Sequence, residues 1–490
     1  MSELAQVLLA LLLPAAAAWT AMGRLGILGR SAAERLAAAV LALLAGAGVA
    51  SLWTFGWLLA GGTLGPAFRI ADVLLWAGAA AALGLSWRIR SRREPGGGEG
   101  IRRRLDPVAA IAIALLALAF VLAALRFARV VDWLPHGDYD AWAIWNHRAR
   151  CVLRWSGGPA GAFDGCTAGH LEYPLLLPLS VARLWAHAGD STAAPVALAF
   201  GFTLAGAAAV ALTAGRIAGP LPGAAAGLFL LGTPTYPYWG AVQMADVPLS
   251  AILAAAMGAL LLADREAGRR RDAYVALGGL LLGLTAWTKN EGLAAAAIAA
   301  AVRLAFAWRS GGRRAAGREA ALVAMGASLP AAAWLAFHLG ISPAVAPELS
   351  SQSAGDALAK LADAGRWDRV LAQLGDAFPG RGVGLPLAVL CAALLLGARP
   401  RTILRSEAVW TAAAMYLVYV LVFVSTPRPL EWHLDTAALR LALQPWPTLI
   451  LGLLASTGDR GTAEDPASAR APALRSRRRL VERGARPATP

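Results

Sequence analysis

Long apolar runs that do not alternate with polar positions organise this chain. Leucine, alanine, valine and glycine dominate near residues 5–22, 37–60, 69–87, 107–127, 191–214, 221–235 and 245–263. They do so again near 273–288, 291–307, 320–340, 382–398, 406–424 and 441–457. Most of these runs approach the ~20 apolar residues that carry a helix across ~30 Å of hydrocarbon, where only helices and closed barrels satisfy every backbone group. The expected fold is therefore all-α, a polytopic transmembrane helical bundle of about thirteen spans.

The polar breaks between the runs are sorted by charge. Arg24, Arg30 and Arg35 follow the first run. Arg88 to Arg104 surround a Pro-Gly-Gly-Gly linker, and further clusters occupy 265–271, 309–318, 399–405 and the tail. Cationic loops stay cytoplasmic. Following that parity, the N-terminus is outside, the C-terminus inside, and loops 128–172 and 341–381 outside. The apolar segment 174–188 starts at Pro174, and the parity holds only if it does not span. It is expected to be a helix lying on or dipping into the outer interface. The first run lacks a basic n-region, so a retained first helix is expected rather than a cleaved signal. Residues 1–104 read as a three-helix unit with a basic linker, 105–457 as the main transmembrane domain, and 458–490, rich in Pro, Ala and Arg, as a disordered cytoplasmic tail.

Composition strengthens this picture. The chain is 58% hydrophobic and 15% charged, against roughly a quarter charged in soluble proteins. The net charge of +15 is spread over the loops between spans, so it points to membrane lipids as partners and not to nucleic acid. Of three cysteines, Cys151 and Cys166 share one outer loop. A bridge there would add ~3 kcal/mol in the chain-entropy picture; two separate thiols are the alternative.

Candidate chemistry gathers in that same loop, from His136-Gly137-Asp138-Tyr139-Asp140-Ala141-Trp142 to His170-Leu171-Glu172-Tyr173-Pro174. One aspartate is expected to cap the helix beginning near Ala141 and the other to act as a general base. The Asp-x-Asp spelling, with His136 nearby, could also hold a divalent metal, although no strand pattern for a nucleotide-sugar fold precedes it. Trp142, Trp145, Ala149 and Val152 share a helical face, while Arg148, Arg150 and Arg154 are expected to turn toward headgroups or a phosphate. Lysine and asparagine occur twice each, and Lys289 and Asn290 stand side by side in Trp287-Thr288-Lys289-Asn290-Glu291-Gly292. Lys289 suits a phosphate and Glu291 a sugar hydroxyl. Asp246 opens a span in Ala-Asp-Val-Pro-Leu, with an N-cap as its ordinary role. Glu431-Trp432-His433 leads to Arg440 at the mouth of the last span. Trp367, Leu371, Leu374 and Phe378 mark an amphipathic helix in the second outer loop.

Together these stretches resemble the GT-C class of polytopic glycosyltransferases, which includes protein O-mannosyltransferases and lipid A aminoarabinose transferases. The likeness covers roughly residues 105–455. It rests on Asp138 and Asp140 in the first large outer loop, on HLEYPL, ADVPL and WTKNEGL, and on WHLDTAALR near the end. The family's Asp-Glu pair is here Asp138-Tyr139-Asp140-Ala141. The resemblance implies transfer of a sugar from a polyprenyl-phosphate donor to an extracytoplasmic lipid, glycan or protein, with inversion, at the outer face of a bacterial-type inner membrane. It implies Asp140, with Asp138 as the other candidate, as base. It implies His170, Glu172, Tyr173, Asp246, Lys289, Asn290, Glu291, His433 and Arg440 around the substrates, and no required cofactor or metal. A lipid-linked sugar transporter or flippase, and a glycan polymerase or ligase, are the rival classes.

Overall fold

The computed structural model describes residues 2–29, 31–91, 106–155, 169–342, 352–378 and 382–458. Within them all regular structure is helical. In order the helices are α1 Glu3–Leu25, α2 Ala32–Leu59, α3 Pro66–Ser91, α4 Pro107–Trp133, α5 Asn146–Arg154, α6 Leu176–Ala188 and α7 Ala193–Ala218. Next come α8 Pro220–Gly232, α9 Thr235–Ala241, α10 Asp246–Ala263, α11 Gly268–Thr288 and α12 Asn290–Gly340. The last are α13 Ala354–Ala362, α14 Ala364–Ala377, α15 Gly384–Leu395, α16 Pro400–Ile403, α17 Glu407–Ser425, α18 Leu430–Leu443 and α19 Trp446–Ala455.

Nine helical stretches among the described residues are long and apolar enough to cross a bilayer. Length and composition explain the difference from thirteen. At 13 and 12 residues, α8 and α15 reach only about 20 Å, short of the ~30 Å hydrocarbon layer. Helix α11 begins Gly268-Arg269-Arg270-Arg271-Asp272, four charged residues in a row near its start. Helix α12 counts once although Gly312 (φ 69°, ψ −164°) bends it into two arms.

Helix α10 is the axis of the bundle, with every residue buried. Its apolar surface meets α7, α11 and α19, while α4 turns Ile111, Leu115, Leu118 and Leu122 outward, as a lipid-facing helix does. Close approach of α11 to the second arm of α12 depends on glycine. A Cβ on Gly279 or Gly326 would strike the backbone of Val323 or Ala276 across the interface, the small-residue packing by which membrane helices associate.

Buried charges gather at the two ends of α10. Asp246 opens the helix and Asp264 follows it, 18 residues apart, about 27 Å at 1.5 Å per residue. That separation is close to one hydrocarbon thickness. At the Asp264 end, Arg303 is 2% exposed and binds Glu319 at 3.0 Å, Glu407 at 3.1 Å and Asp264 at 2.9 Å. Arg271 shares Glu319. Arg271, Arg318 and Arg405, from three of the basic clusters, lie beside Asp264 at this end.

The N-terminal helices are keyed into the rest. Arg183 of α6 grips Asp72 of α3 through two hydrogen bonds of 2.9 and 2.7 Å and donates to the Ala10 carbonyl of α1. His187 and Trp76 complete the same carboxylate. The forked geometry fixes orientation as well as contact. Segment 174–188 of the sequence reading forms helix α6, and Leu176 through Trp185 are all buried where α1, α2, α5 and α7 pack on it.

In the second long loop, α14 lies over α17 and α18. Trp367 and Leu374 pack inward and Phe378 meets Tyr416 at 4.8 Å. Leu371 is 54% exposed, and Val370, fully buried, takes the inward place assigned to it. Helical spacing admits either neighbour, and the position of α17 decides.

Candidate functional site

The loop after α4 is pinned by amides. Asp138 N–H donates to the Val242 carbonyl at 3.1 Å. Asn146 donates its side-chain amide to Gln243 at 2.9 Å, and Gln243 donates in turn to the Pro135 carbonyl. Gln243 (φ 61°) and His170 (φ 56°) are the two described non-glycine residues in the left-handed region. Such strain is held where surrounding structure over-determines it, commonly at functional sites. Residues Ala141–Trp145 form a π-helical turn, a second irregularity with the same association.

This scaffold separates the two aspartates. Asp138 accepts from the Tyr139 N–H at 2.7 Å, and its carbonyl receives the Ala141 N–H. It serves the helix start. Asp140 makes no capping bond; its Oδ2 meets Arg440 at 2.7 Å. Arg440 reaches Asp246 at 3.2 Å, and Asp246 receives Lys289 at 3.1 Å and the Gln444 amide at 2.6 Å. Lys289 closes the series on Glu291 at 2.9 Å. Thus Asp140, Arg440, Asp246, Lys289 and Glu291 form one chain of ion pairs drawn from four separate stretches of sequence.

Local backbone explains the convergence. Lys289 is a single extended residue (φ −160°, ψ 158°) between α11 and α12. Gly292 lets the reversed chain pass so close that a Cβ would collide with the Thr285 carbonyl. Arg440 and Gln444, four apart and so on one helical face, both address Asp246, and the Tyr419 hydroxyl orients Gln444. Asp246 is a buried anion with three donors and makes no side-chain cap.

The series is buried in its middle and reaches the surface at both ends, Glu291 being 25% exposed. Asp140 and Arg440 side chains are 20% and 18% exposed, whereas Asp246 and Lys289 are 0% and 3%. Three carboxylates face two cations, leaving one formal negative charge. Glu291 Oε2 and Trp145 Nε1 are buried with no partner among the described residues, an acceptor and a donor held ready near Tyr173. Tyr173 stacks on Trp145 at 5.4 Å and on His170 at 4.7 Å, with the Lys289 ammonium 5.9 Å from its ring. Burial and the neighbouring Glu291 push the Tyr173 phenol up, so it remains a neutral donor.

Other sequence-selected residues fall differently. His433 binds the Thr426 hydroxyl at 2.8 Å and packs on Phe423, apart from the ion-pair chain. Asn290 opens α12 half-buried, without a side-chain hydrogen bond among the described residues. The arginine face is corrected. Arg148 is 1% exposed and donates to the Tyr173 and Leu171 carbonyls at 2.7 and 2.6 Å. Arg150 and Arg154 both bind Asp190. Arg148 is therefore used by carbonyls at the end of the loop, and Arg150 and Arg154 by a carboxylate beyond α6, with Arg154 still 70% exposed. Burial lowers the Arg148 pKa to about 10, against the opposing pull of Glu172, so it stays charged at neutral pH. Cys151 is disulfide-bonded, and Cys166, its expected partner, lies outside the described residues. For the metal alternative, no group of three or more His, Cys, Asp or Glu side chains converges among the described residues. The residues that sequence reading passed over are Gln444, Gln243 and Tyr419, and Trp145 was read only as part of an apolar helical face. The one available signal was a glutamine one turn beyond Arg440.

Glu172 makes a pH-dependent clasp on this loop. Burial raises its pKa, but His170 at 3.0 Å, a backbone N–H and Arg148 outweigh burial and hold it below its ordinary 4.5. A depressed carboxylate contributes stability above its unfolded pKa and loses it as pH falls through the folded one. In a wild-type versus Glu172→Gln comparison of thermal unfolding, the wild-type advantage should be present at pH 6 and shrink below about pH 4.5. A gap that stays constant over that window would remove Glu172 from this role.

No protein-family model, no curated protein and no solved structure matches the chain. The chemistry of the site is carried by its geometry.

Proposed function

We propose that this chain is an integral membrane glycosyltransferase. It moves a sugar from a polyprenyl-phosphate donor to an extracytoplasmic acceptor, with inversion, and Asp140 is the general base. The observation that supports this best is the single ion-pair chain joining Asp140, Arg440, Asp246 and Lys289 at one end of the bundle. With the arginine-rich loops at the opposite end of α10 taken as cytoplasmic, that end faces the periplasm or outside.

The charges define the order of events. Lys289 is locked between two carboxylates and nearly inaccessible, so it supports the site without meeting the lipid phosphate. Arg440 is the accessible cation. The donor phosphate competes with Asp140 for it, while Asp246 keeps the guanidinium in place. Asp140 is then released to take the proton of the acceptor hydroxyl or amine. The acceptor atom bonds to the anomeric carbon, the bond from that carbon to the phosphate oxygen breaks, and its electron pair leaves with the phosphate. Arg440 stabilises the growing charge, as a fixed cation does in a water-poor site. The unpartnered Glu291 Oε2 suits a sugar hydroxyl.

The test is release of free polyprenyl phosphate by the purified chain from a panel of polyprenyl-phosphate sugars, with membrane extract as acceptor. Transfer is expected for at least one donor. Binding of donors without release of any would end the transferase reading and favour a transporter or flippase. Release only from oligosaccharide donors would move the assignment to a polymerase or ligase.

A further inference from the structure

Both members of the Asp140–Arg440 pair are fastened to one short turn. Residues 242–246, between α9 and α10, are all buried. Asp246 closes this turn and holds Arg440 at 3.2 Å. The first two residues of the turn hold the loop that carries Asp140. The Val242 carbonyl accepts the Asp138 N–H at 3.1 Å, and a Cβ on Gly137 would strike the same carbonyl. Gln243 uses both ends of its amide on this loop: Oε1 accepts from Asn146 at 2.9 Å, and Nε2 donates to the Pro135 carbonyl at 3.1 Å. Pro135 and Asn146 lie on either side of Asp140 in the chain, so one side chain ties down both flanks of the candidate base. Asp140 makes no capping bond that could do so locally.

The backbone at Gln243 favours a different residue. Helix α9 ends at Ala241, with Val242 as its cap. The Met244 N–H then returns to the Trp239 carbonyl at 3.2 Å and the Gln243 N–H to the Gly240 carbonyl at 2.9 Å. These are the two bonds by which a Schellman motif closes a helix, and the left-handed position that follows the cap is usually glycine, which has no Cβ to strain. Here that position is Gln243, at φ 61°. Glycine would end α9 with less strain, so the helix end does not account for glutamine. The two bonds of its side chain do, and backbone strain of this kind is held at functional sites.

We propose that Gln243 is a positioning residue for the general base, the clamp that sets the reach of Asp140 relative to Arg440; this deepens the transferase reading and rests on it. Gln243 makes no hydrogen bond to Asp140 or Arg440 among the described residues and acts through the loop. With both flanks fixed, the Asp140 carboxylate stays where the acceptor's proton must be taken. With Asp246 in the same turn, the base and the cation that receives the donor phosphate share one support. A misplacement of about 1 Å at a reacting group costs on the order of 10²-fold in rate.

Gln243→Gly in the full chain tests this, because glycine keeps the φ of the turn and deletes only the clamp. With a polyprenyl-phosphate sugar that wild type uses, kcat is expected to fall about 10²-fold while donor Kd stays within a few-fold, since Asp246 still anchors Arg440. Asn146→Ala removes one of the two bonds and should cost less, and added to Gln243→Gly it should cost nothing further, as for two residues that share one contact. Hydrogen–deuterium exchange is the readout that needs no turnover: amides of residues 137–146 should exchange faster in Gln243→Gly, and those of α10 should not. Wild-type kcat in Gln243→Gly would overturn the proposal, as would a fall in kcat matched by an equal loss of donor binding. If wild type releases no polyprenyl phosphate from any donor, the transferase reading fails and exchange alone decides. Unchanged exchange over 137–146 then removes the clamp, and faster exchange there leaves it standing without the transferase.

Discussion

Asp140→Asn is expected to lower kcat by ~10²–10⁴-fold, the usual worth of a positioned general base, and at the same time to tighten donor binding. The two effects have one cause. Asparagine accepts no proton, so the acceptor is not activated. It also carries no charge, so Arg440 loses the carboxylate now 2.7 Å away and is freer to receive a phosphate. A donor Kd a few-fold lower with kcat nearly abolished is a signature that mere loss of folding does not produce. Asp138→Asn should leave both constants within a few-fold, since that side chain serves the Tyr139 N–H. If Asp138→Asn were the inactive variant, the base would be Asp138. If Asp140→Asn weakened donor binding, the exchange at Arg440 would be wrong.

Much of this site was legible because the chain is so poor in polar groups. Against a background that uses arginine for nearly every cation, Lys289 stood out, and Asp246 was conspicuous at the head of an apolar run. What the sequence could not show was pairing. Nothing in WTKNEGL reveals that Lys289 is enclosed by Asp246 and Glu291 and unable to meet a lipid directly, because that depends on a one-residue link between helices and on Gly292. The arginines of α5 misled for a related reason. Helical spacing puts Arg148 three residues after Trp145, on the same side of the helix, and the 169–173 turn folds over that face and supplies carbonyls to it. Segment 174–188 is short and apolar, which suits an interface as well as a core. Of the helices that pack on it, α1 and α2 are N-terminal, and the one polar signal from that unit is Asp72, an acidic residue inside α3.

Asp246→Asn is expected to destabilise the folded chain by about 3–5 kcal/mol, the typical cost of removing one member of a buried ion pair. The carboxylate is fully buried and faces Lys289, Arg440 and Gln444. Without it, two cations remain close together, one of them 3% exposed. Glu291 and Asp140 still hold the outer side of each, so the bundle should survive, with a lower unfolding temperature in detergent. Adding Lys289→Met removes the stranded charge, and removing both partners of a buried pair is often close to neutral. Most of the lost stability should therefore return in the double variant. Activity should not, because Arg440 would still lack the anchor that holds it against the pull of a donor phosphate. A double variant that is stable and inactive separates the two duties of Asp246. If instead Asp246→Asn unfolds at the wild-type temperature, the ion-pair chain does not hold the bundle together. If the double variant transfers sugar at the wild-type rate, Asp246 does not position Arg440.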